Sequence, residues 1–93
     1  MVEVVLFSKE DCHLCTVALR MARRIQADLS FRLLHVNITQ DAELMQRYGT
    51  RIPVIVIDQA EQLTGKITER ELRAAIKRAR WRGPISRILS RFR

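Results

Sequence analysis

The sequence lacks most of the features that would mark it for a special environment. It has only two cysteines, too few for the disulfide framework of a small secreted scaffold. It has no apolar run near the ~20 residues needed to span a bilayer; beyond the N-terminal run, the longest is Val54 to Ile57. The N-terminal run, Val2 to Phe7, is short and already carries Glu3, so no secretory leader is visible. Internal repeats and low-complexity segments are also missing. These absences set the expectation of a soluble, cytoplasmic, single-domain protein. Its 93 residues suffice to bury roughly 60–65% of the unfolded chain's surface around one core.

Charge is present, but unevenly. Met1 to Gly65 holds seven basic and eight acidic residues, whereas Lys66 to Arg93 holds ten basic and two acidic. The net charge of +7 therefore comes from the last stretch of the chain, which makes the basicity a local accessory.

The hydrophobic pattern lays out the elements. Val2 to Phe7 reads as a buried strand, and Ser8, Glu10 and Asp11 supply helix-start chemistry. Leu14, Ala18, Met21, Ala22, Ile25 and Leu29 recur at three- and four-residue spacing, which predicts a helix from about Cys12 to Asp28. Phe31 to Asn37 reads as a second strand, and a short helix spans Ala42 to Tyr48 with Gly49 as its stop. Ile52 to Ile57 is a third strand opened by Pro53, and Gln62 to Lys66 suits a fourth. Thr68 and Glu71 have the spacing of a capping box. The helix they open runs to about Arg82, where Gly83-Pro84 is expected to break it. The resulting order, β-α-β-α-β-β-α, favours an α/β fold: a four-stranded mixed sheet flanked by helices, with a right-handed first crossover. Residues 1–82 form the domain, and residues 83–93 a basic amphipathic helix or tail.

Both cysteines sit in Cys12-His13-Leu14-Cys15, at a strand-to-helix junction. A helix N-terminus presents unpaired N–H groups and partial positive charge, which stabilise a thiolate, and the thiolate is the nucleophile. A redox site and a metal site are the two chemistries open to such a pair. Structural zinc needs four ligands; the pair supplies two, His13 lies between them and His35 stands alone, so no metal site is expected.

With Arg51-Ile52-Pro53 heading a later strand, the chain resembles the thioredoxin superfamily. Within it, Ser8-Lys9-Glu10-Asp11-Cys12-His13-Leu14-Cys15 resembles the active-site segment of glutaredoxins, and is most similar to small bacterial glutaredoxin-like proteins with a Cys-His-Leu-Cys type site. The resemblance covers about Val2 to Ile76 and implies a thioredoxin fold and thiol–disulfide oxidoreductase or redox-carrier activity. It implies that Cys12 attacks a substrate disulfide with a pKa below the ~8.5 of a free thiol, and that Cys15 resolves the mixed disulfide. It also implies a cis peptide bond before Pro53, beside the cysteines, with Arg51 and Ile52 facing an extended substrate. Departures accompany the matches. Asp11 and Leu6 stand where thioredoxins carry tryptophan and a buried aspartate, His13-Leu14 replaces the Pro-Tyr of glutaredoxins, and the glycine-rich segment is thinned to Gly65-Lys66-Ile67-Thr68.

No bound cofactor is expected. Glutathione is implied as a co-substrate, its carboxylates received by Lys9 and by the N–H groups of Ile67 and Thr68. The implied partners are protein or small disulfides, with glutathione or a thioredoxin reductase as electron source. His13 has two readings, a protonatable imidazole that favours the Cys12 thiolate or a solvated first-turn residue; Lys9 likewise assists a charge or is simply solvated. His35 is expected to pack or to hydrogen-bond structurally, and Tyr48 to pack. In the tail, Trp81, Ile85, Ile88, Leu89 and Phe92 recur at helical spacing among Arg80, Arg82, Arg87, Arg91 and Arg93. That stripe either packs on the domain or engages an acidic partner, an anionic membrane or nucleic acid. A non-enzymatic binding module working through the tail is the alternative function.

Overall fold

In the computed structural model, which describes the backbone of residues 1–90 and the side chains through Trp81, the first strand β1 (Glu3–Ser8) alternates half-buried and buried side chains. It leads into α1 (His13–Asp28), β2 (Arg32–Asn37), a 3-10 turn (Ile38–Gln40), α2 (Ala42–Tyr48), β3 (Val54–Ile57), β4 (Glu61–Thr64) and α3 (Glu69–Ser90). The sheet order is β2-β1-β3-β4. β1 pairs parallel with β2 and antiparallel with β3, and β3 pairs antiparallel with β4. The parallel pair is joined through α1, the connection such pairing requires.

The sheet separates two apolar layers of unequal depth. On one face, Val4, Leu6, Ile55 and Ile57 pack with Ala18, Met21, Ala22 and Ile25 of α1 and Leu72, Ala75, Ile76 and Ala79 of α3. On the other, Ile38, Tyr48 and Val54 form a smaller cluster with Phe7, Leu44, Ile52 and Val56 around them. Arg24 and Arg73 both bridge Glu69, and Arg73 also reaches Asp28, tying α1 to α3 at the surface.

Local chemistry sets the turns. Asp41 caps α2 by accepting the N–H groups of Glu43 and Leu44. The β3–β4 turn places Asp58 and Gln59 at φ 52° and 60°, the left-handed region that short hairpins use. The Asp58 carboxylate accepts the Glu3 N–H at 3.1 Å, fastening that turn to β1.

Three expectations are corrected. β3 begins at Val54, not Ile52, because Pro53 brings no N–H to the ladder. β4 ends at Thr64, short of Lys66, where Gly65 turns to φ +71°. The break at Gly83-Pro84 does not occur: α3 runs on to Ser90. Glycine and proline in a helix interior cost about 1 and about 3 kcal/mol, and the stretch before them, Arg70 to Arg82, is rich in the strong helix formers arginine and alanine. The apolar and arginine side chains of the tail beyond Trp81, and with them the question of what the stripe covers, lie outside the described residues. Among the described residues no helix is long and apolar enough to cross a membrane.

Candidate active site

The cysteine pair occupies the first turn of α1, but the helix start is not built as the sequence suggests. Asp11 takes φ 58° and so stands outside the helix, while Ser8 is buried at the end of β1 and its hydroxyl contacts Nε2 of His35. The N-cap is Cys12 itself. Its backbone is extended (φ −105°, ψ 106°), and its Sγ accepts the backbone N–H of Cys15 at 3.2 Å. Its carbonyl accepts both the N–H and the hydroxyl of Thr16, at 3.1 and 3.2 Å. A sulfur at this position meets the orphan N–H groups of the first turn and the positive end of the helix dipole.

Cys12 and Cys15 are joined in a disulfide with their Cα atoms 5.2 Å apart. The two sulfurs differ in access. Cys12 is half-buried, whereas Cys15 is only 4% exposed. His13 and Leu14 between them face solvent, and among the described residues no three His, Cys, Asp or Glu side chains are placed to hold a metal ion.

Strand register brings the remaining segments to the same end of the sheet. Phe7 pairs with Val54, and Val54 with Thr64. The end of β1, the start of β3 and the end of β4 therefore lie side by side, with the Cys12 loop, Pro53 and Gly65 just beyond them. The Ile52–Pro53 peptide bond is cis, Pro53 is buried, and its carbonyl accepts the Gly65 N–H at 3.0 Å. Lys9 is half-buried in the loop before Cys12. Thr68 is a different case. Its N–H and hydroxyl both donate to the Glu71 carboxylate, at 3.1 and 2.9 Å, and its oxygen accepts the Glu71 N–H. The capping box is thus formed in full, and it occupies the Thr68 N–H that was expected to receive a glutathione carboxylate.

The comparisons with known proteins bear on this arrangement. Residues 3–77 match the family described as Glutaredoxin-like domain (DUF836), which covers most of the chain. The chain belongs to the glutaredoxin-like family. The target protein XcR50 from X. campestris is a solved relative at 29% identity, with a TM-score of 0.71 over 82% of this chain and 97% of that one. A mutant thioredoxin from Halobacterium salinarum NRC-1 superposes with a TM-score of 0.69 at 20% identity, over 82% of this chain and 72% of its own, a likeness of fold alone. Among sequences, the uncharacterized protein Rv0508 of Mycobacterium tuberculosis is 24% identical over 87 residues, spanning 88% of this chain and 90% of that protein. The glutaredoxin-like reading of the sequence stands, and with it the thioredoxin fold.

Two features of the site were not read from the sequence. One is the Ser8–His35 contact, which joins residues 27 positions apart. The other lies around Tyr48, which packs as expected, its ring stacked on Phe7 at 4.6 Å between centroids. The guanidinium of Arg51 also sits over that ring at 5.7 Å and donates to the Arg47 carbonyl at 2.9 Å. An aromatic residue with arginines at i−1 and i+3 is the only sequence signal for this arrangement, and it becomes meaningful only once the end of α2 is seen beside the cysteine loop.

Proposed function

We propose that this glutaredoxin-like protein is a thiol–disulfide oxidoreductase that cycles between the Cys12–Cys15 disulfide and the dithiol. The observation that carries the reading is the asymmetry of the pair: an accessible sulfur at the helix N-cap, joined within one turn to a buried one. In the dithiol form Cys12 releases its proton and its thiolate attacks one sulfur of a substrate disulfide, forming a Cys12–substrate disulfide and expelling the other substrate sulfur as a thiolate that takes up a proton. Cys15 then loses its proton and attacks Cys12 Sγ. The protein disulfide forms, and the second substrate sulfur leaves as a thiolate that takes up a proton. The substrate gains two electrons and two protons, and the protein loses them. Because Cys15 is held one turn away, the second step is effectively intramolecular. A dithiol or two monothiols must supply electrons for the next round.

Pro53 and the backbone of Ile52 form the shelf along which an extended substrate lies, with Arg51 and Lys9 beside it. His13 is exposed next to Cys12. A cytoplasmic setting, where thiols are kept reduced, suits a protein that must be re-reduced each turn. Gly65 helps hold the shelf through its bond to Pro53, whereas Thr68 has no free N–H for a ligand, so glutathione enters this reading as an electron donor.

Single-residue variants test the assignment. Cys12→Ser should reduce disulfide exchange to the uncatalysed rate, while Cys15→Ser should accumulate mixed disulfides with Cys12, detectable by mass spectrometry. Exchange activity persisting in Cys12→Ser would remove Cys12 as the nucleophile. Turnover with glutathione and its reductase, set against turnover with thioredoxin reductase, identifies the electron source.

A further inference from the structure

Arg47 and Arg51 both lie over the Tyr48 ring, at 6.0 and 5.7 Å, but they differ in their other partners. Arg47, one turn earlier, is paired with Glu43 at 3.6 Å. Arg51 has no carboxylate within ion-pair reach among the described residues, although it is exposed. It is nonetheless held in place. Its guanidinium lies over the Tyr48 ring, one of its N–H groups donates to the Arg47 carbonyl, and its own backbone N–H donates to the Tyr48 carbonyl at 2.8 Å. The Tyr48 ring is fixed in turn by its stack on Phe7 of β1. A guanidinium carries five N–H donors, so most remain open. Holding the side chain in advance removes much of the ordering cost that weakens surface ion pairs.

This cation stands directly before Ile52-Pro53, at the sheet end that carries Cys12. We propose that Arg51 selects polypeptide disulfides that carry an acidic side chain close to the attacked cysteine. The acid stands in the segment flanking the attacked cysteine, the part of an extended substrate that would run along Ile52. Two observations favour a polypeptide over glutathione. At the α3 N-terminus, the Thr68 N–H and hydroxyl are already engaged by the Glu71 carboxylate. Leu14, 40% exposed between the cysteines, and half-buried Ile52 offer apolar contact to a longer chain. The role is one of specificity: Arg51 binds the substrate flank and takes no part in electron transfer, while Tyr48 is a positioning residue that acts through it.

The inference rests on the disulfide-exchange reading, and the test separates the two. Matched disulfide peptides with Glu, Gln or Lys flanking the cysteines, and glutathione disulfide, are mixed with the reduced full-length protein in single turnover. The reaction is quenched by alkylation and read by mass spectrometry. The expected result is a three- to tenfold preference for the Glu peptide over the Gln peptide, of the order that one preset charge-assisted bond supplies, shrinking as salt rises. Arg51→Gln should bring that ratio to about one, and Arg51→Glu should invert it in favour of the Lys peptide. Equal rates for Glu and Gln peptides overturn the proposal, as does glutathione disulfide matching the Glu peptide with an equal loss in Arg51→Gln. Should no disulfide be turned over, S-methylated peptides titrated against the Arg51 Nε–H resonance decide alone. A shift with the Glu peptide that the Gln peptide lacks supports the inference, and its absence overturns it.

Discussion

The two faces of the sheet do different work, and their unequal depth explains the division. The face under α1 and α3 buries fifteen residues in one cluster, the face under α2 only three. A deep layer is closely packed and resists rearrangement, so it suits the task of holding α1, and with it the cysteines, in fixed relation to β1. The shallow layer ends at Tyr48, whose ring supports Arg51 at the proposed substrate shelf. The larger apolar cluster lies on one side of β1 and β3, and the contacts proposed for the substrate lie on the other.

Three substitutions can break or sharpen that contrast. Leu72→Ala opens a cavity in the deep layer and should cost about 2–5 kcal/mol, read as a large drop in the denaturation midpoint. A small loss would mean that α3 is not needed to hold the fold. Tyr48→Leu in the shallow layer should cost about 1–2 kcal/mol, from a lost ring stack and the lost contacts of Arg47 and Arg51 with the ring, while collapsing the preference for acidic peptides. If stability falls as far as in Leu72→Ala, or the preference survives, the division between the faces fails. The smallest effect is expected at the surface tie between α1 and α3. Hydrogen bonding from Arg73, then from Arg24, lowers the Glu69 pKa against an opposing effect of burial. A carboxylate whose folded pKa is depressed stabilises the protein above its unfolded pKa, and that contribution disappears as pH falls through the folded value. Glu69→Gln should therefore be slightly less stable than the parent at neutral pH, and the difference should vanish in acid. A difference that persists at low pH would assign the effect to something other than the ion pairs.

The site was only partly legible in the sequence, and the division follows the range of the interactions. The Cys12–Cys15 pair, the proline at the head of β3 and the capping box at Thr68 are patterns within a few residues, so they can be read directly. The same local reading misplaced the cap of α1. Ser8 and Asp11 are good capping types, yet Ser8 is turned into the sheet toward His35 and Asp11 adopts a left-handed backbone, leaving Cys12 at the cap. Thr68 is instructive in another way. Its capping box was visible, and the structure forms it, with the Thr68 N–H donating to the Glu71 carboxylate.

The sequence by itself determined the element order, the apolar faces and the redox pair, because hydrophobic periodicity and turn chemistry act over short stretches of chain. Tertiary structure decided what surrounds the pair. Strand register carries Pro53 and Gly65 to the cysteine end, α2 brings Tyr48 onto Phe7, and Tyr48 holds Arg51 over its ring. Those contacts join residues far apart in the chain, and only the packing of helices onto a sheet of defined order sets the distances on which their chemistry depends.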